Sequence, residues 1–110
     1  MNTREIGNLA ETKAVEFLIQ NDYKIVTRNF YSRFGEIDII SIKDGIYHFI
    51  EVKSGKTFEP IYNVTPSKLK KIIKTINVYL NKNKLNLPYQ IDVIIVKPDN
   101  IEFIKNISMW

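Results

Sequence analysis

Asp44-Gly45 is the feature that most constrains the fold of this chain, because it predicts a two-residue β-hairpin turn. The turn joins two β-rich runs, Glu36 to Ile42 and Ile46 to Val52. Pairing Lys43 with Ile46 sets every later pair, and residues that face each other share a face of the sheet. Counting outward from the turn predicts the pairs Ile42 with Tyr47, Ile40 with Phe49, Asp38 with Glu51 and Glu36 with Lys53.

The predicted hairpin places Asp38 directly opposite Glu51. Opposed Cβ atoms in antiparallel strands are about 4.5–5.5 Å apart, where like charges destabilise the sheet. A divalent cation would offset this repulsion, and Mg²⁺ is commonly held by one or two carboxylates together with water and phosphate. Lys53 follows Glu51 on the same face, about 6.6 Å along the strand, where an ammonium group stabilises charge that develops on a phosphate. The pattern therefore predicts a metal-dependent phosphodiesterase site.

An amphipathic hairpin with its charges at a solvated edge is the competing interpretation, because an Asp followed by Glu-x-Lys is common by chance. Asp38 and Glu51, however, continue the apolar stripe of the hairpin, on the face expected to be covered. Acids are seldom buried unless they are paired or bind a metal. His48 has the opposite parity to Glu51 and is interpreted as structural.

The rest of the chain predicts two helices and three further strands. Asn2 with Glu5 forms a capping box at the start of a helix that runs to about Gln20, and Thr65 with Pro66 opens a second helix. Residues from Lys56 to Val64 are predicted to form an irregular loop. The further strands are Tyr23 to Phe30, Tyr89 to Lys97 and Ile101 to Ile104.

Two more acids interrupt apolar patterns. Glu11 lies on the border of the apolar stripe of the first helix, either as a boundary carboxylate that reaches water or as a third acid above Asp38 and Glu51. Asp92 interrupts the apolar run of a predicted central strand. There it either approaches the site, caps a neighbouring backbone group or pairs with Arg28.

The positive charge is concentrated in one part of the sequence. The net charge is +4, but residues 53–84 contain eight lysines and one acidic residue. Clustered lysines provide the sequence-independent part of nucleic-acid affinity, so this stretch predicts a surface for a polyanion. A coding bias is the alternative explanation, because Ile, Lys and Asn fill 43 of the 110 positions. The candidate nucleic-acid-binding residues are Lys56, Lys68, Lys70, Lys71 and Lys74.

The chain contains no cysteine, which excludes disulfides and thiolate zinc sites. No apolar run approaches the roughly 18 residues that a membrane span needs. We therefore expect a soluble cytoplasmic protein with no membrane partner, folded as one domain over residues 1–110.

The chain resembles the PD-(D/E)xK nuclease superfamily and, more closely, the YraN-like family of small bacterial proteins related to archaeal Holliday junction resolvases. The resemblance covers nearly the whole chain, and GEID followed at this interval by FIEVK is its most specific part. The residues that carry it are Gly7 with Ala10-Glu11, Arg28-Asn29, Gly35-Glu36-Ile37-Asp38, Phe49-Ile50-Glu51-Val52-Lys53, Lys68 and Asp92-Val93.

The resemblance implies a restriction-endonuclease-like α/β fold, with a central mixed five-stranded sheet flanked by helices in the order α-β-β-β-α-β-β. It implies that Asp38 and Glu51 bind Mg²⁺ or Mn²⁺ and that Lys53 acts on the attacking water. Glu11 would complete the metal site. The expected activity is hydrolysis of phosphodiester bonds in DNA, including branched or Holliday-junction DNA, whose two-fold symmetry favours a homodimer. The alternatives are a non-cleaving nucleic-acid-binding module with the same fold, and an interaction protein with no nucleic-acid role.

Overall fold

The computed structural model describes residues 2–55 and 64–107. Along the chain the elements are α1 (Thr3–Gln20), β1 (Lys24–Ser32), β2 (Gly35–Lys43), β3 (Ile46–Ser54), α2 (Pro66–Lys82), β4 (Tyr89–Val96) and β5 (Ile101–Ile104). The sheet order is β1-β2-β3-β4-β5, in which β3 and β4 are parallel and the other neighbours are antiparallel. The expected mixed five-stranded sheet with two flanking helices is thus confirmed.

Both helices begin at the predicted capping residues. The Asn2 side chain accepts a hydrogen bond from the Glu5 N–H at 2.9 Å, and the Thr65 hydroxyl accepts one from the Lys68 N–H at 3.2 Å. Each bond satisfies an N–H group that has no partner within the first turn. Neither helix in the described part of the chain is long and apolar enough to cross a membrane.

The two helices cover opposite faces of the sheet. α1 packs on one face through Ala10, Ala14 and Leu18, and α2 packs on the other through a set that includes Ile72 and Ile76. β4 is buried on both sides from Ile91 to Val96, as expected for a strand inside a sheet that is covered on both faces. The two cores fix the sheet between the helices.

The hairpin turn between β2 and β3 is formed by Asp44 and Gly45, whose φ values are 52° and 77°. Positive φ at both central residues is the signature of a type I′ turn. The predicted register is confirmed next to the turn, and regular pairing extends as far as Ile39 with Ile50. It ends there, so the predicted regular pairing of Asp38 with Glu51 is wrong.

The alternation of side chains along β2 is interrupted at Asp38. Ile37 belongs to the apolar cluster under α2, whereas Ile39 belongs to the cluster under α1. In a regular strand, residues two positions apart point to the same face. On the neighbouring strand β1, Asn29 has a φ of 54°, so β1 and β2 are both irregular at this point. Counting from the turn fails here because the side chains of β2 beyond this point lie on the opposite face from the one that regular alternation predicts.

Gly45→Ala is expected to lower the free energy of unfolding by about 1 kcal/mol, because an L side chain is strained in the left-handed region. Gly7→Ala is the matched control. An added Cβ at Gly7 meets nothing within 4 Å, and alanine is the better helix former by about 0.8–1 kcal/mol, so this variant should be stabilised. Urea denaturation of both variants measures the difference. Destabilisation of equal size in both would contradict this account of the turn.

Candidate functional site

Asp38 and Glu51 are joined by backbone interactions at the point where the regular pairing of β2 with β3 ends. The Val52 N–H donates a hydrogen bond to Asp38 Oδ2 at 2.8 Å, and the Asp38 N–H interacts with the Glu51 carboxylate. The Asp38 carboxylate is therefore held by a backbone N–H of β3. The structure brings the two predicted metal ligands together, but through side-chain-to-backbone contacts rather than through a regular cross-strand pair.

Burial makes both carboxyl groups difficult to ionise. Desolvation is the main cause that raises the pKa of Asp38 from 3.8 to about 6; the Val52 N–H opposes the rise, and the charges of Glu36 and Glu11 add to it. Desolvation, followed by the charge of Asp38, raises the pKa of Glu51 from 4.5 to about 8. A cation bound beside these groups would favour their ionised forms.

One oxygen of Glu51, Oε1, is buried and accepts no hydrogen bond from the described residues. Ser41 Oγ and Glu102 Oε2 share this property, but the first belongs to a neutral hydroxyl and the second lies 3.4 Å from Lys97 Nζ. An unpaired carboxylate oxygen inside a protein is costly, and carboxylate oxygens are ligands that suit Mg²⁺ and Mn²⁺. The donor set of Asp38 and Glu51 therefore fits a hard divalent cation.

A cleft of about 240 Å³ lies beside Glu51, between the sheet and α2. Acidic side chains from β2 and β3 and lysines from β3 and α2 face the same space, so a phosphate in the cleft would have cations close to it. Two of the predicted nucleic-acid-binding residues are among these lysines. The charged lining consists of Glu36, Glu51, Lys53, Lys68 and Lys71.

The other predicted lysines lie elsewhere. Lys70 and Lys74 are exposed on α2 and are not part of the cleft lining. Lys74 is nevertheless close to it, since its Nζ lies 5.3 Å from the ring centroid of Phe34, which does line the cleft. Lys56 lies outside the described residues, as does most of the predicted loop that it begins.

Glu11 is buried, with 8% of its surface exposed, and its Oε1 lies 3.3 Å from Arg28 Nε. This ion pair ties α1 to β1. The charge of Glu11 contributes to the raised pKa of Asp38, so the two carboxylates interact electrostatically. Over residues 2–55 and 64–107, no three Asp, Glu, His or Cys side chains are grouped to hold a metal ion. The role of Glu11 as a metal ligand stays a prediction.

Asp92 and His48 form a separate buried pair. Asp92 Oδ2 lies 2.6 Å from His48 Nδ1, and Asp92 Oδ1 accepts hydrogen bonds from the Gln90 side chain at 2.9 Å and the Asn106 N–H at 2.7 Å. The predicted backbone cap is confirmed, whereas the predicted pairing with Arg28 is wrong because Arg28 contacts α1 instead. The pair could not be found from the sequence because it depends on the parallel register of β3 and β4.

Sequence reasoning missed Phe34, which lies in the turn between β1 and β2 and lines the cleft. Its ring is approached by the Arg33 guanidinium, whose Cζ lies 4.8 Å from the ring centroid. The signal available was its place directly before Gly35-Glu36-Ile37-Asp38, which put an aromatic ring next to the predicted acids.

A profile of the Uncharacterised protein family UPF0102 matches residues 10–96. The chain belongs to this family. A UPF0102 protein of Helicobacter hepaticus is 50% identical over 109 residues, which are 99% of each chain. The UPF0102 protein of Sulfurimonas denitrificans is 53% identical over 108 residues, covering 97% of this chain and 99% of the relative. The resemblance to YraN-like proteins that was read from the sequence is thereby confirmed.

The stability of this UPF0102 protein, measured without divalent cations, is expected to fall as the pH rises from about 4 to about 8. Folding raises the pKa of both Asp38 and Glu51, so the folded state holds their protons more tightly than the unfolded chain does. The resulting stabilisation is fully present below the ordinary pKa values and is lost as the pH rises through the raised ones. Urea denaturation in EDTA at a series of pH values measures this slope.

Glu51→Gln replaces the carboxyl group by a neutral amide and is expected to flatten the slope. One unit of pKa shift corresponds to about 1.4 kcal/mol, so between pH 5 and 8 the wild type should lose roughly 3 kcal/mol relative to this variant. Glu16→Gln, at an exposed acid of α1, is the matched control and should keep the wild-type slope. A Glu51→Gln slope as steep as that of the wild type would show that Glu51 is not the titrating group.

Proposed function

We propose that this protein is a nuclease that hydrolyses phosphodiester bonds in DNA with Mg²⁺ or Mn²⁺ as its cofactor. The observation that carries the proposal is the buried, unpaired Glu51 Oε1, which lies next to Asp38 and a cleft lined by lysines. A carboxylate pair that is costly to ionise is stabilised by a hard cation. The lysine side chains that line the cleft can bind the negatively charged phosphates of the substrate. The resemblance to PD-(D/E)xK nucleases assigns the same two acids to the metal.

The two acids and Lys53 have distinct roles in the proposed chemistry. Asp38 and Glu51 would hold the ion, which when bound neutralises charge on the phosphate and activates water. Lys53 lines the same cleft as Glu51, so its ammonium group would orient the attacking water and stabilise charge on the phosphate oxygens. Water attacks phosphorus and one P–O ester bond breaks. The leaving oxygen takes a proton, which gives a phosphate monoester and a hydroxyl.

Lys68 and Lys71 would hold the substrate backbone from the α2 side of the cleft. Contacts between lysine and phosphate position a nucleic acid without reading its sequence. We therefore propose that the protein recognises the shape of its substrate rather than a base sequence. The resemblance to Holliday junction resolvases favours branched DNA, and a homodimer would match the two-fold symmetry of a junction.

Mn²⁺ and Mg²⁺ are expected to raise the melting temperature, and to do so more at pH 8 than at pH 5. Cations compete with protons for Asp38 and Glu51, and a ligand that binds only the folded state stabilises it. Thermal unfolding with each ion and with EDTA measures the gain. Asp38→Asn and Glu51→Gln should abolish it, whereas Glu16→Gln should retain it. The same gain in all four proteins would rule out an ion at this site.

Cleavage is tested with labelled four-way junction, flap, duplex and single-stranded DNA and with RNA, in Mn²⁺ or in EDTA. We expect cation-dependent cutting that falls by at least about 100-fold in Lys53→Met, the size of effect typical of a lost charge-stabilising group. Asp38→Asn and Glu51→Gln should also be inactive. Lys13→Met, at an exposed lysine of α1, is the matched control and should cut normally. Binding of every substrate without cutting would favour the non-cleaving module, and neither binding nor cutting would contradict both functions.

A further inference from the structure

Phe34 is an aromatic side chain in a cleft that is lined by both charged and apolar residues. It lines the cleft together with Glu36, Glu51 and Lys53, and it belongs to neither of the two apolar clusters that the described residues form. The ring is half-buried. The core residues Val64 and Ile72 line the same cleft, but the ring itself lies outside both cores, beside the acids and lysines of the cleft.

Hydrogen bonds hold the turn that carries Phe34 against α2. The Phe34 N–H donates to Ser32 Oγ at 3.0 Å, and Ser32 Oγ lies 2.9 Å from Thr75 Oγ1. Thr75 Oγ1 also donates a hydrogen bond to the Lys71 carbonyl at 3.0 Å. Gly35, the first residue of β2 after the turn, has a φ of 156°, which L residues rarely adopt. The ring is thus held at a fixed position relative to the turn of α2 that contains Lys71, which also lines the cleft.

Two exposed cations lie over the ring. Arg33 Cζ is 4.8 Å and Lys74 Nζ is 5.3 Å from the ring centroid of Phe34. A cation–π contact at an exposed site is weaker than the stacking of a nucleic-acid base on an aromatic ring. Phosphates, in turn, bind Arg and Lys through charge-assisted hydrogen bonds. A bound strand would therefore draw both cations to its phosphates and leave the ring free for a base.

We infer that Phe34 is a platform on which an unpaired base stacks, with Arg33 and Lys74 on the neighbouring phosphates. A base within a duplex has both faces covered by its neighbours, so only an unpaired or extruded base offers a free face. The substrate class is therefore DNA with unpaired nucleotides at the cleft, as in a single strand, a flap or an open junction. This inference rests on the proposed function, because it takes the cleft to be the place where a phosphodiester binds.

Single-stranded DNA that carries one 2-aminopurine tests the inference, because stacking on an aromatic ring quenches the fluorescence of this base. The full chain is titrated into the oligonucleotide in Ca²⁺, and wild type should quench the probe and bind it about 10-fold more tightly than a blunt duplex of equal length. Phe34→Leu keeps an apolar side chain without a ring. It should lose the quenching and bind about 10-fold more weakly, whereas Phe34→Trp should restore both.

Tyr89→Leu is the matched control, because Tyr89 is an exposed aromatic residue away from the cleft. It pairs with Tyr47 at the start of β3, four residues before Glu51. Quenching and affinity should be unchanged in this variant. Wild-type quenching by Phe34→Leu, or no quenching by the wild type, would overturn the inference even when cleavage is observed. Quenching that depends on Phe34, together with no cleavage in Mn²⁺, would overturn the nuclease function and leave the stacking site in place.

Discussion

The arrangement of the two acids depends on the replacement of a backbone acceptor by the Asp38 carboxylate. Regular antiparallel pairing would bond the β2 backbone to β3 beyond Ile50, but the Val52 N–H donates to Asp38 Oδ2 instead. The same interruption turns Ile37 to the α2 side while Ile39 stays on the α1 side. Asp38 is thus fixed by the sheet itself, and Glu51 is left with an oxygen that no described residue satisfies. The unsatisfied Glu51 oxygen and the change in the side-chain alternation of β2 thus occur at the same place in the sheet.

Features set by neighbouring residues could be predicted from the sequence. The Asp44-Gly45 turn demands positive φ at two adjacent positions, and Asn2 and Thr65 cap their helices over three residues, so each can be recognised in a short window. The register next to the turn follows from the same local information. The prediction fails at Asp38 because counting assumes constant alternation, whereas a short acidic side chain can compete with the strand for a backbone N–H. No local sequence pattern distinguishes a strand that keeps its alternation from one in which an acidic side chain interrupts it.

Contacts between distant segments could not be predicted. The sequence offered Arg28 as a candidate partner of Asp92, but Arg28 pairs with Glu11, and this contact depends on how α1 crosses β1. The contact between Phe34 and Lys74 depends likewise on the hydrogen bonds that hold the β1–β2 turn on α2. Periodicity assigns a residue to a face of its own element. It does not say which part of another element covers that face.

A comparison of the buried acids shows why burial alone does not mark a functional site. Asp92 is fully buried, yet both of its oxygens are satisfied by His48, Gln90 and the Asn106 N–H. Glu51 is more accessible than Asp92, but one of its oxygens has no partner among the described residues. A buried charge that is fully hydrogen-bonded is a stable part of a core. A buried acid that is left uncompensated next to a cleft is stabilised when a proton, a hydrogen-bond donor such as water, or a cation binds there.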